Sequence, residues 1–263
     1  MNTTPSLPVL LKGLKLPSFV SHHEEVASTA EQGGWGFGDY LRHLAELELS
    51  DRERRKVERL QRQSELPTEK TVSTLDLSIL PTRILRVLPT LCEGGFVERA
   101  ENVLVFGLPG RGKTHVVCAI GHELVKQGYR VLFTPAFRLV QRLLRARRDL
   151  DLERQLRALD KFDAVILDDI GYVQQGREEM EVLFTFLSER YERRSVMLTS
   201  NLVFSQWDKI FKDPMTTAAA IDRIVHHATF LEMTGPSIRA MRASSSVTSG
   251  GANHDETSTK EDV

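Results

Sequence analysis

Val103-Leu104-Val105-Phe106-Gly107-Leu108-Pro109-Gly110-Arg111-Gly112-Lys113-Thr114 runs from an apolar strand into G-x-x-x-x-G-K-T, and a helical stretch follows at once. The context matters as much as the motif. A loop between a strand and a helix can aim successive backbone N–H groups inward and set a helix N-terminus beneath a phosphate. The pattern is a P-loop. Gly107 and Gly112 permit close backbone approach, Leu108, Pro109, Gly110 and Arg111 complete the loop, Lys113 reaches the β- and γ-phosphates, and the Thr114 hydroxyl can sit on Mg²⁺. The expected ligand is ATP or GTP, with His115 directly beside the motif.

Outward from the loop, strand and helix alternate as a parallel sheet requires. Strand 103–106 leads to helix 113–127, stopped at Gly128 as a left-handed cap, and then to strand 130–134. Residues 136–148 and 151–161 read as two arginine-rich helices. Ala164-Val165-Ile166-Leu167 is continuously apolar, as suits a strand buried on both faces, and ends in Asp168-Asp169. Helix 177–193, a strand from Ser195 to Leu198 ending in Thr199-Ser200-Asn201, a capping box at Ser205-x-x-Asp208, a helix at 216–227 and a strand near 229–233 follow. Upstream, residues 1–35 read as a short amphipathic element and a linker. Residues 38–63 read as a charged helix with Leu41, Leu44, Val57 and Leu60 on one face, ended by Pro67, and Thr74 to Thr90, interrupted by Pro81 and Pro89, as a connector. The serine-rich, acidic stretch from Ala243 reads as disordered.

A chain of 263 residues with 41% hydrophobic content can bury a full core, and no apolar run approaches the roughly 20 residues needed to cross a bilayer. The N-terminus has no charged region followed by an apolar core, so a cytoplasmic protein is expected, without a membrane partner. Cys92 and Cys118 match neither a zinc site nor a disulfide framework and read as buried apolar residues. The net charge of −1 conceals local asymmetry. Arg52, Arg54, Arg55, Lys56, Arg59 and Arg62 cluster in one stretch, and Arg138, Arg142, Arg145, Arg147, Arg148, Arg154 and Arg157 in another. Both could track a phosphate backbone, and the scarcity of interleaved aromatics favours duplex over single strands.

A carboxylate at the end of a buried strand is the second part of a nucleoside triphosphatase. Asp168 would hold Mg²⁺ opposite Thr114, and Asp169 would orient or deprotonate the attacking water. Asn201 is a candidate sensor of the γ-phosphate, because ligands of an open parallel sheet sit at the carboxyl ends of its strands, where Gly107, Asp168 and Asn201 all fall. Arg223, on the late helix, could stabilise charge developing in phosphoryl transfer, with a surface ion pair as the competing reading. Arg239 is a weaker second sensor. His226-His227 is not read as a metal site, since adjacent helical positions face different ways.

Taken together, Gly107 to His115, Ile166-Leu167-Asp168-Asp169-Ile170-Gly171, Leu198-Thr199-Ser200-Asn201 and Ala220-Ile221-Asp222-Arg223-Ile224-Val225-His226-His227 resemble the IstB-like transposition helper ATPases, relatives of the DnaC helicase loader. Asp39 through Arg62 and Leu66-Pro67-x-x-Lys70-Thr71 are similar as well, so the likeness covers roughly residues 8–242. It implies an α/β fold: an AAA+ P-loop domain with a central parallel sheet flanked by helices, plus a small helical N-terminal domain. The corresponding division is 1–73 for partner or DNA interaction, 74–242 for the ATPase and 243–263 for the tail. The resemblance further implies ATP and Mg²⁺ as cofactors, self-association through ATP at subunit interfaces, and duplex DNA and a partner transposase as partners. Under it Arg223 is an arginine finger for the next subunit's ATP, Asn201 the first sensor, and the Arg138 to Arg148 helix the DNA contact. A replicative helicase loader is the near alternative; a small-molecule kinase and a DNA coat that scarcely turns over ATP are more distant ones. Arg111 stands where the pattern is usually small or polar, adding charge near the phosphates.

Overall fold

The computed structural model describes residues 5–172, 176–202, 214–234 and 237. Five strands, β1 (Asn102–Phe106), β2 (Val131–Pro135), β3 (Ala164–Asp168), β4 (Ser195–Ser200) and β5 (Ala228–Glu232), form one sheet in the order β2-β3-β4-β1-β5. Every pairing is parallel. The P-loop strand β1 therefore lies between β4 and β5, beside the strand that leads into Asn201.

Ten helices accompany the sheet among the described residues: α1 (Leu7–Gly13), α2 (Pro17–Gly33), α3 (Phe37–Gln63), α4 (Thr82–Cys92), α5 (Gly95–Glu98), α6 (Lys113–Lys126), α7 (Ala136–Arg148), α8 (Leu152–Leu159), α9 (Arg177–Arg190) and α10 (Pro214–Val225). Strand alternation divides the core. Leu104, Phe106, Val165, Leu167, Val196 and Leu198 join Leu139 and Leu143 of α7, Leu183 and Phe186 of α9 and Ile224 of α10 in one cluster. On the other face α6 packs its buried Val117, Ile120 and Leu124 against the sheet. Each such side chain contributes about 1.5–3 kcal/mol on burial.

Two compact units divide between Leu60 and Gln61. In the first, the described part of the stretch read as a short element and a linker holds two helices, α1 and α2. Their apolar positions are sparse, with Leu11, Val26 and Ala30 buried, and polar contacts supply much of the docking on α3. Glu48 on α3 accepts hydrogen bonds from the Ser18 amide at 2.9 Å and from Arg52 Nε at 2.7 Å, capping the first turn of α2 from a neighbouring helix. Removal from water works to raise the Glu48 pKa, but the bonds from Arg52 and Ser18 outweigh it and hold the carboxyl below its ordinary value. Leu44 and Leu60 are buried as expected, whereas Leu41 is exposed.

In the second unit the expected connector contains a 3-10 turn at Leu77–Ile79 and the helix α4. Pro81 stands at its N-cap and Pro89 lies inside it, yet Ile84, Leu88 and Leu91 recur at helical spacing and are buried, and that packing carries the helix through the proline. Cys118 is buried, which pushes its thiol up to about 12, and Cys92 is only half-buried. Helix α6 stops as anticipated, with Gly128 at φ +90° and the Tyr129 amide donating to Leu124 O. Helix α10 ends at Val225, so His226 and His227 lie in a turn instead of the last helical turn; His227 has φ +59° and the two rings come within 4.0 Å of each other. The capping box at Ser205, Arg239 and the tail from Ala243 lie outside the described residues.

Candidate nucleotide site

Strand β1 delivers Gly107 into a turn whose backbone only glycine tolerates. At φ +147°, a Cβ here would sit 2.5 Å from Met233 O, just past the end of β5. Met233 in turn donates its amide to Phe106 O at 2.7 Å, and Arg111 donates to Met233 O at 3.1 Å. The guanidinium that departs from the usual loop pattern thus ties the P-loop to the neighbouring strand, although Arg111 also lines the cavity beside the loop.

The loop continues with Gly110 and Gly112 in the left-handed region and opens directly into α6. Lys113 Nζ donates to Gly107 O at 2.7 Å and to Leu108 O at 3.0 Å, which holds the ammonium over the loop mouth. One residue on, Thr114 Oγ1 donates to Asp168 Oδ1 at 2.8 Å. The same carboxylate oxygen accepts from Thr199 Oγ1 at 2.7 Å, and Thr199 Oγ1 accepts from the Asp169 amide at 2.8 Å. The cost of an acid at the end of a buried strand is offset here by two hydroxyls.

Asp169 has φ +62°, a conformation asparagine and aspartate adopt more readily than other side-chain-bearing residues, and it turns the chain so that its side chain lines the cavity. Asn201 lines it as well. Among the described residues Asn201 Oδ1 is buried without a hydrogen-bond partner, a polar atom whose desolvation none of them repays. The cavity holds about 240 Å³. Its floor is the loop from Pro109 to His115, and its opposite wall comes from Lys70, Thr74, Leu75, Asp76, Ile79 and Leu80. His115 Nε2 joins the two walls, lying 3.1 Å from Thr71 O and 3.1 Å from Thr74 Oγ1.

A nucleoside triphosphate with its metal fits these residues. The paired hydroxyl and carboxylate of Thr114 and Asp168 are the hard oxygen donors that Mg²⁺ prefers, and Asn201 lines the cavity beside them. Thr199 and the 70–80 wall were missed in reading the sequence. A hydroxyl interrupting the apolar run Val196-Met197-Leu198 was the available signal for Thr199; the polar, irregular wall carries none. Arg223 does not line this cavity. Its guanidinium stacks 4.8 Å from the Phe184 ring on α9 and makes a long contact to Ala219 O.

Comparison with known proteins agrees with this architecture. A protein of Sinorhizobium fredii, named as an insertion sequence ATP-binding protein, is 41% identical over 238 residues, covering 90% of this chain and 80% of its own. A Pseudomonas aeruginosa protein named for ATP binding in the insertion sequence IS21 is 38% identical, covering 89% of this chain and 88% of its own. Among solved structures, AMPPCP-bound DnaA from Aquifex aeolicus aligns with a TM-score of 0.56 at 17% identity, over 73% of this chain and 59% of that one. DnaI aligns at 0.55 and 22% identity, over 65% and 96%. These likenesses establish an AAA+ P-loop fold with a helical N-terminal region. The profile of the IstB-like ATP binding proteins matches residues 9–246, and the chain belongs to that family.

Proposed function

We propose that this protein is an ATP-dependent, DNA-binding assembly factor that helps a transposase select and engage its target DNA, with hydrolysis of ATP to ADP and phosphate as the switch. The observation that carries the reading is the convergence of Lys113, Thr114, Asp169 and Asn201 on one cavity, with Asp168 bonded to Thr114 at its edge, in a chain whose relatives are named for ATP binding in insertion sequences.

Lys113 would exchange the Gly107 and Leu108 carbonyls for the β- and γ-phosphates. Leu75, Ile79 and Leu80 offer an apolar wall suited to a purine base. Mg²⁺, held by Thr114 and Asp168, would supply charge neutralisation across the phosphates. Asp169 orients the attacking water, and Asn201 donates to the γ-phosphate or to that water through its amide nitrogen. Arg223 stands apart from its own chain's cavity, which supports a role at the ATP of an adjoining subunit. Arg239 is proposed as a second sensor on the family resemblance alone.

For DNA, α7 is better suited than α3. On α3, Arg52 and Arg55 pair with Glu48, Arg54 with Asp51 and Glu58, and Lys56 with Glu53, which leaves exposed Arg59 and Arg62 without a carboxylate partner among the described residues. On α7, Arg147 pairs with Glu181, but exposed Arg138, Arg145 and Arg148 have no carboxylate partner among the described residues. Unpaired guanidinium groups along one helix are available to duplex phosphates.

Sedimentation of the protein with duplex DNA, with and without ATP, tests the proposal. Large DNA-bound assemblies that require ATP and are lost in Lys113→Ala and in Arg223→Ala are expected. A chain that stays monomeric and indifferent to DNA under all conditions would overturn it.

A further inference from the structure

At the end of the sheet remote from the P-loop, α9 and α10 finish side by side. Glu192 follows α9, and His226 and His227 follow α10; one ligand atom from each of the three lies within 4.8 Å of the other two. Five-residue strands separate this turn from the nucleotide cavity by roughly 16 Å. His226 Nδ1 is 3.7 Å from Glu192 Oε1 and 3.0 Å from the Tyr191 hydroxyl.

The turn that carries the histidines is fixed from beneath by the backbone and side chain of one buried residue, Asn102. Asn102 donates its amide to His227 O at 3.1 Å and its Nδ2 to Ile224 O at 3.0 Å, while its Oδ1 accepts from the Val196 amide at 2.9 Å. The left-handed backbone of His227 then brings its ring back beside that of His226. Two adjacent histidines that a helix would send apart are in this way presented together on a braced support.

We propose that Glu192, His226 and His227 form a binding site for a divalent transition metal of the Zn²⁺ class, separate from the nucleotide. Two imidazoles and one carboxylate suit Zn²⁺, Co²⁺ or Ni²⁺ and leave a coordination position open. Tetrahedral bonds of about 2.0–2.1 Å need donor atoms about 3.4 Å apart, which the exposed side chains reach by small rotations about their χ angles. The Tyr191 hydroxyl is placed to orient His226 as an outer partner. Bound metal would clamp the end of α9 to the end of α10, the helix that carries Arg223. The site stands on these residues alone and does not depend on what the P-loop binds.

Titration of the full, untagged chain with Co²⁺ in the absence of nucleotide, followed by visible d–d absorption and competition with Zn²⁺, tests the site. One Co²⁺ per chain is expected, with affinity reduced at least about tenfold in His226→Ala and in His227→Ala and also lowered in Glu192→Gln. Far-ultraviolet dichroism of each variant should match the parent, since all three side chains are exposed. No uptake by the parent at about 100 μM Co²⁺, or uptake that survives both histidine substitutions, would overturn the proposal. Uptake lost in Asp168→Asn but kept in the histidine variants would place the ion at the nucleotide site and would overturn it equally.

Discussion

Thr114 Oγ1 and Asp168 Oδ1 lie 2.8 Å apart although 54 residues separate them in the chain. The bond joins the first turn of the P-loop helix to the end of β3, two strands from β1 in the sheet, and Thr199 on the intervening β4 completes it at 2.7 Å. Thr199→Val keeps the volume and removes the hydroxyl, and with it the bond that the Asp169 amide donates and one that Asp168 accepts. Chemical denaturation should show a loss of about 1–3 kcal/mol. ATP turnover should fall more steeply than ATP affinity, because Asp169 is released from its left-handed turn while Lys113 and Thr114 remain in place.

Gly107→Ala meets two obstacles at once. The new Cβ would stand 2.5 Å from a backbone carbonyl, that of Met233, and the backbone at φ +147° is one that alanine rarely adopts. Neither is relieved by rotating a side chain, so the loop and the exit of β5 must shift together. We expect a destabilisation of about 1–3 kcal/mol and loss of nucleotide binding, measured by thermal melting and by fluorescent-nucleotide titration.

The parts of this architecture that were legible in the sequence are those with local causes. The apolar runs at 103–106 and 164–167, the loop between Gly107 and Thr114, and the Gly128 stop each carry their instruction within a few residues. What was missed depends on register or on tertiary contact. Leu167 pairs with Leu198, which places Asp168 beside Thr199, and no spacing along the chain encodes that adjacency. Helix α4 persists through Pro89 because Ile84, Leu88 and Leu91 find a core to fill. Helix α2 docks through Ser18 with polar contacts to Glu48 and Asp51, where a search for an apolar stripe sees a linker. The helical placement of the histidine pair fails for a similar reason: α10 stops one residue before it, in a turn that no local spacing announces.

Gly171 and Asn201 should be linked in catalysis and almost independent of stability. A Cβ on Gly171 would fall 2.0 Å from Asn201 Oδ1, the free end of a side chain that can swing away. Gly171→Ala is therefore expected to fold normally, bind ATP with unchanged affinity and hydrolyse it at least about tenfold more slowly, matching Asn201→Ala. Steady-state hydrolysis with a parallel binding titration checks this, and a Gly171→Ala protein with full turnover would show that Asn201 need not occupy its observed position.

The docking of α2 on α3 should be acid-sensitive. Glu48 has its pKa held down in the folded state by Arg52 and the Ser18 amide, against the opposing effect of desolvation. An acid with a depressed folded pKa binds fewer protons folded than unfolded, so its contribution is complete above the unfolded value, about 4.3, and disappears as pH falls through the folded one. Below that range the cap on α2 loses its negative charge and α2 loosens from α3. Hydrogen exchange between pH 7 and pH 3 should show protection falling in residues 17–33, and Glu48→Gln should show reduced protection there already at pH 7. Equal protection in parent and variant at pH 7 would mean that the apolar contacts of Val26 and Ala30 hold α2 without the carboxylate.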